Sequence, residues 1–304
     1  MSAQLEKEAP SQASPLSNAS RQLFQNVPPI SPTIDLAGKA ALITGSNSGL
    51  GFECARHFLR MRLTRLIMGV RSLQKGEAAA SRLRAEFPNA KIEVWQLDMV
   101  SFRSVQAFVA RVDQELDRLH IAVLNAGLGK NKFERVEEGG RRETTLQVNY
   151  LSTALLATLL IPKMKPTVSS SGPGRLSIIS SDSSLGVKLE DPGEGGLLDS
   201  LDRPEQFNSF EQYAKSKLLI TMFGARLAEF VDPGEVIINS CNPGATKGTG
   251  LLDNNDSWLI KMIIGLVFRL IGRKAEDASR IYVHASLMLG KESHGSYTDW
   301  LVRP

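Results

Sequence analysis

From residue 39 onward, short apolar runs alternate with longer stretches of helical texture. KAALIT (39–44), RLIMGV (65–70), KIEVWQ (91–96), LHIAVLN (119–125), RLSIIS (175–180) and EVIINSC (235–241) read as six strands. The spacing predicts helices over 50–61, 72–87, 101–117, 140–164 and 209–231. Two more are predicted after the sixth strand, over 256–272 and 275–290, and a short GSYTDW segment (295–300) follows them. The strands are mostly continuous apolar runs rather than alternating ones, the pattern of a sheet covered on both faces. No Asn-Gly or Asp-Gly hairpin joins neighbouring strands. Right-handed β-α-β crossovers then give an α/β fold: one parallel sheet of about seven strands with helices on both sides.

The 35 residues before this pattern differ in texture. They are rich in Ser, Pro, Ala and Gln, and read as a disordered tail, with RQLFQNVPPI (21–30) as a strap against the domain. Two units are therefore expected, a tail over 1–35 and one domain over 36–304. The tail lacks the basic start and apolar block of a secretory leader.

Composition narrows the function classes only slightly. The 304 residues carry 36 Lys+Arg against 32 Asp+Glu, a net charge of +4 with no basic run. Nucleic acid is not implied. Two cysteines, Cys54 and Cys241, each fall inside a predicted element, so neither a disulfide framework nor a metal spacing follows, and a reduced, cytoplasmic setting is expected. The four histidines form no metal-ligating pair and read as packing or surface residues, so no metal is expected.

TGSNSGLG (44–51) follows the first strand and opens the first helix. Gly45 permits a tight turn, Gly49 lets backbone approach a ligand, and Gly51 lets helix and strand pack closely. A helix N-terminus so presented suits a pyrophosphate. At the end of the second strand, where an NAD site usually places an acid, the chain reads GVRS. Arg71 there suits a ribose 2′-phosphate, and Lys75 one turn on adds charge. The plain alternative is a solvated arginine at a helix start.

YAKSK (213–217) sets Tyr213 four residues before Lys217, which stacks them on one helix face. An ammonium beside a phenol favours phenolate, so a pKa lowered from about 10 is expected, which suits an acid–base group. Alone, such a pair is an ordinary helix surface. Lys215 falls off that face and is expected in solvent.

Taken in order, these motifs resemble the short-chain dehydrogenases/reductases over residues 38 to about 300. Thr44, Gly45, Gly49 and Gly51 match the family's glycine motif. The resemblance implies a single Rossmann-type domain and a nicotinamide cofactor, NADP(H), held by the loop Thr44, Gly45, Ser46, Asn47, Ser48, Gly49, Leu50 and Gly51 together with Arg71. It also implies Asp98 (in LDM) at the adenine, and Asn125, Ala126 and Gly127 (NAG) along the cofactor cleft. Pro243, Gly244 and Thr246 (in NPGATKG) would lie beside the nicotinamide. Asn149 (in VNY), Ser181 (in IISS, with Ser180 its neighbour), Tyr213 and Lys217 match the catalytic residues. In the scheme this implies, Ser181 polarises a carbonyl and Tyr213 supplies its proton. Lys217 also holds the ribose, and Asn149 holds a water that relays protons to Lys217.

GVRSLQKGEAAA, EDASRIYVHASLMLGKESHGSYTD and the strap are similar to the retinol-dehydrogenase-like branch and its filamentous-fungal relatives, which commonly serve secondary metabolism. The long insert between Ser181 and Tyr213, and the ending WLVRP, depart from that pattern. The activity expected is ketoreductase or alcohol dehydrogenase chemistry on a hydrophobic small molecule. A non-redox cyclase or isomerase, and a catalytically silent cofactor-binding protein, stay open. The family commonly pairs through its two long helices, here 101–117 and 209–231, so a homodimer is an open expectation.

WLIKMIIGLVFRLIG (258–272) is too short and interrupted to span a membrane. Lys261, Gly265 and Arg269 mark a narrow polar stripe on it. Core or oligomer contact, a lid over a hydrophobic substrate within a lobe at about 245–275, and contact with a membrane surface all stay open. Trp95 is expected in the sheet core, Trp258 on the lid, and Trp300 in the cleft wall or in packing.

Overall fold

Successive residues of a strand point to opposite faces, so a run that is apolar throughout needs a cover on each side. In the computed structural model, which describes residues 27–137, 142–166, 172–191, 195–247 and 272–298, the strands obey this rule. Ala41 and Ile43 of β1 (Ala40–Thr44) join one apolar cluster, and Leu42 joins the other. In β2 (Arg65–Val70), Leu66, Met68 and Val70 face the first cluster while Ile67 faces the second.

The first cluster is closed by α1 (Gly49–Arg60) through Phe52 and Phe58, and by α2 (Leu73–Glu86) through Ala80 and Leu83. Ile281 and Val283 of the C-terminal helix α8 (Arg280–Val283), which follows the short α7 (Ala275–Ala278), complete it. The second is closed by α3 (Phe102–Glu115), by α4 (Thr144–Met164) and by α6 (Ser209–Ala228), which follows the short α5 (Leu197–Ser200).

The remaining strands are β3 (Lys91–Gln96), β4 (Ile121–Leu124), β5 (Gly174–Ile179), β6 (Val236–Cys241) and β7 (Tyr297–Thr298). All seven are parallel, in the order β3-β2-β1-β4-β5-β6-β7. GSYTDW thus supplies the seventh strand, through the pairs Ser240↔Tyr297 and Cys241↔Thr298. The order reverses between β1 and β4, which opens a crevice at their carboxyl ends. This is a Rossmann-type doubly wound sheet in one domain. Trp95 lies in the second cluster, 1% exposed, edge-on to Phe108 with the Arg111 guanidinium over its ring.

Two helices differ from the sequence pattern. The stretch expected as one helix over 140–164 contains a π-turn at Gln147–Ser152, which carries Asn149. The stretch expected over 275–290 breaks at Ser279 and ends in a second π-turn, His284–Met288. There the buried Asn239 of β6 donates to the Ala285 carbonyl at 2.8 Å, a side-chain bond in place of a regular helical one.

Among the described residues, Thr144–Met164 is the one helix long and apolar enough to cross a membrane, and 67% of its apolar window is buried in the protein core. Of the N-terminal strap, Val27 is buried and Ile30 and Ile34 pack on the first cluster. The earlier tail, most of the apolar segment 258–272 with Trp258, and Trp300 lie outside the described residues.

Candidate functional site

The glycine loop sits at the carboxyl end of β1, at the mouth of the crevice. Gly45 has φ +66° and Gly49 φ +58°, left-handed values that favour glycine. A Cβ on Gly45 would meet the Ala126 Cα at 3.1 Å, whereas nothing lies within 4 Å of one on Gly49. Ser46 is turned inward, donating to the Ile43 carbonyl, Asn47 is partly exposed and Ser48 exposed. Leu50 packs on the first cluster. Gly51 is required by a different neighbour from the one expected. Its Cβ would come within 2.6 Å of the Asn125 side-chain nitrogen and 2.9 Å of the Gly45 carbonyl.

Helices α2, α3 and α6 are capped by Ser72, Ser101 and Asn208. In α1, Ser48 makes no side-chain cap and the first turn holds no acid. Its free N–H groups and partial positive charge therefore face the open side of Gly49, a fitting seat for a pyrophosphate. Thr44 and the NAG turn close the loop from β4. Thr44 Oγ1 accepts from Ala126 N at 2.9 Å, and Asn125 Nδ2 donates to the Thr44 carbonyl at 2.9 Å.

Arg71 follows β2 directly and is exposed, at the same carboxyl edge as the glycine loop. Lys75 lies in the first turn of α2. Asp98 opens the turn after β3, where its carboxylate accepts from Val100 N at 3.1 Å.

Lys217 and Tyr213 share one face of α6. The Lys217 Nζ lies 5.9 Å from the centroid of the Tyr213 ring and donates to the Ile179 carbonyl at 2.8 Å. Ser181 lies beside the phenol and favours its ionised form. Ser180 is turned the other way, 2.6 Å from Thr221 Oγ1 and donating to the Lys217 carbonyl, so the geometry separates the two serines. Asn149 Oδ1 accepts from Leu128 N at 2.9 Å, while its Nδ2 donates to the Leu128 carbonyl and to Ser216 Oγ. Both amide protons are thus committed to protein, and a relay water at this side chain is left only the second lone pair of Oδ1. A Cβ on Gly127 would lie 3.2 Å from both Asn149 Oδ1 and Lys217 Nζ, so this turn borders both side chains.

The Pro-Gly turn follows β6. Gly244 has φ +72°, and Thr246 is buried with its hydroxyl donating to the Gly244 carbonyl. Thr246 also bridges Arg273 in parallel fashion, which brings the two ends of 247–272 together.

Comparison with known proteins shows the family to which this sheet and its motifs belong. Residues 39–189 match the family model described as short chain dehydrogenase. Short chain dehydrogenase opdN of Penicillium oxalicum is 43% identical over 304 residues, covering 97% of each chain. Short chain dehydrogenase virL of Hypocrea virens is 45% identical, over 100% of this chain and 88% of its own. The chain belongs to the short-chain dehydrogenase/reductase family. Solved members of the family share the fold at low identity. A Shigella flexneri short chain dehydrogenase complexed with NADP superposes with a TM-score of 0.63 at 20% identity, covering 88% of this chain and 99% of its own. One from Pseudomonas syringae gives 0.65 at 19%, covering 92% and 100%.

Against the expectation that Lys217 lowers the tyrosine, the phenol of this family member is pushed up to about 12 by burial, with Ser181 pulling the other way. Burial pushes the Lys217 amine down to about 8, partly offset by the nearby Cys241. Desolvation wins because the amine is turned towards a backbone carbonyl rather than the phenol oxygen. Lys215 is also a correction: it pairs with Glu211 at 3.1 Å and its side chain is only 18% exposed.

Three further residues support the site. Ser183 donates to Ser181 Oγ at 3.0 Å, leaving the Ser181 proton free to donate elsewhere. Ser216 donates to the Tyr213 carbonyl at 2.7 Å while accepting from Asn149. Their spacings, two and three residues after Ser181 and Tyr213, were signals available in the sequence. Tyr282, which donates to Asn125 Oδ1 at 3.0 Å, had none.

Proposed function

We propose that this protein is an NADP(H)-dependent oxidoreductase that interconverts a ketone or aldehyde and an alcohol on a hydrophobic small molecule. The observation that carries the reading is that Ser181 lies against the Tyr213 phenol and draws its pKa down, with Lys217 alongside on the same helix face. Thr44 to Gly51, Asn125 to Gly127, Asp98 and the Pro243–Gly244 turn with Thr246 would hold the cofactor, and Arg71 its 2′-phosphate. When bound, a reduced nicotinamide supplies hydride to a carbonyl carbon.

Ser181 donates a hydrogen bond to the carbonyl oxygen, which fixes and polarises it. Tyr213 then gives that oxygen its proton. A phenol at about 12 is fully protonated at neutral pH, ready as the acid in the reducing direction. Lys217, on the same face, favours the phenolate that this step leaves behind, and Asn149 with Ser216 fixes the helix that carries both. Fungal relatives of high identity, and a solved chain of this fold with NADP, support a role in fungal secondary metabolism with that cofactor.

The test is cofactor-dependent product profiling of carbonyl-containing extracts from the source organism, with NADPH and NADH in parallel. Tyr213→Phe is expected to abolish turnover while NADPH still binds. Turnover that persists without any nicotinamide would overturn the reading.

A further inference from the structure

The C-terminal part of the chain sends one polar side chain back beneath the glycine loop. Tyr282, on α8, is 1% exposed and sits within the first apolar cluster. Its hydroxyl donates to Asn125 Oδ1 at 3.0 Å. The other end of the same carboxamide donates to the Thr44 carbonyl at 2.9 Å and to the Gly45 carbonyl at 3.3 Å.

A carboxamide has two ends of nearly equal shape and opposite polarity. Here the amino end faces two carbonyls, which can only accept, and the oxygen end faces a phenol that donates. Turning the amide over would set its oxygen against two carbonyl oxygens. The two carbonyls set which end faces the loop, and the phenol supplies the donor that the buried oxygen end needs, pinning Asn125 against the glycine loop. The fit is close, because Gly51 leaves no room even for a methyl beside that nitrogen. Burial holds the Tyr282 phenol well above its ordinary range, so it stays a donor. Its neighbours Cys54, Cys241 and Tyr213 are uncharged at neutral pH, and none competes as an ionic partner.

We propose that Tyr282 is a positioning residue for the cofactor loop, acting through Asn125. This role rests on the nicotinamide-dinucleotide reading above. Without the hydroxyl, Asn125 Oδ1 is left a buried acceptor with no phenol to hold it in place. The Thr44 and Gly45 carbonyls then lose a fixed partner, and the loop no longer presents a single shape to the cofactor. Cofactor affinity falls, while the Ser181–Tyr213 pair is untouched.

The experiment is a double-mutant cycle in the full chain, using Y282F, N125A and the double variant. NADPH binding is followed by nicotinamide fluorescence, and folding by circular dichroism. An unsatisfied buried acceptor predicts that Y282F weakens NADPH binding about tenfold in the wild-type background. In the N125A background the same change is expected to weaken it less than about twofold, since there is no amide left to hold. Unchanged affinity in Y282F overturns the proposal. An equal loss in both backgrounds also overturns it, because Tyr282 would then act by packing alone. A wild-type chain that binds neither NADPH nor NADH is a separate result: it removes the cofactor reading itself, and the positioning role with it.

Discussion

Lys217 points its amine at the Ile179 carbonyl, 2.8 Å away, and not at the phenol oxygen of Tyr213, whose ring centroid lies 5.9 Å off. The amine is therefore carried in the core at a cost. A fall from 10.5 to about 8 corresponds to a penalty of roughly 3 kcal/mol at neutral pH. Because the folded pKa is the lower one, the penalty is complete below about 8 and is relieved as pH rises from there to 10.5. Lys217→Met is expected to abolish turnover yet stabilise the fold by roughly 1–2 kcal/mol at pH 7, the orphaned Ile179 carbonyl offsetting part of the gain. Urea unfolding of both proteins at about pH 7 and pH 9.5 checks this, and the advantage of the variant should shrink at the higher pH. A destabilised variant at pH 7 would contradict it.

The glycines of the loop are not equivalent. Gly51→Ala places a methyl 2.6 Å from Asn125 and 2.9 Å from the Gly45 carbonyl, so backbone must shift. A loss of roughly 1–3 kcal/mol in stability is expected, with weaker cofactor binding. Gly49→Ala meets no atom and carries only the strain of φ +58°, about 1 kcal/mol. Thermal unfolding of the two variants should rank them in that order.

Arg71 stands exposed at the crevice edge, with no acid beside it in GVRS. Arg71→Asp is expected to reverse cofactor preference, raising the KM for NADPH at least about tenfold and lowering that for NADH. Steady-state kinetics with both cofactors decides the point. An unchanged ratio would remove Arg71 from the phosphate site.

His120 reports on acid stability. Its Nδ1 accepts from Ala40 N at 3.1 Å, at the start of β1, and burial with the nearby Arg118 lowers its pKa to about 4. The folded value is below the ordinary 6.5, so the stabilisation is whole above 6.5 and is lost as pH falls through about 4. His120→Gln should flatten that limb of a stability–pH curve measured by chemical unfolding. An unaltered slope would mean that another group sets it.

The strands, most helices and the motif residues were legible because each depends on local periodicity or short spacing. The run RLIMGV encodes two covered faces by itself, and TGSNSGLG encodes its own turn. What stayed hidden depends on contacts between distant segments. The π-turn that carries Asn149 arises in QVNYLS, a stretch with neither proline nor glycine to mark a break. The upward shift of Tyr213 depends on how much core surrounds a ring, which spacing does not report. The reason for Gly51 lies in Asn125, brought to it by the pairing of β1 with β4.

The bond between Tyr282 and Asn125 joins residues 157 positions apart. A ribosome has already made every motif residue from Thr44 to Lys217 and the Pro-Gly turn before that tyrosine appears, and the seventh strand comes later still. The proposed dinucleotide cradle is thus finished only after its own motif residues are made, so a product terminated before Tyr282 would own every one of them and still lack this support.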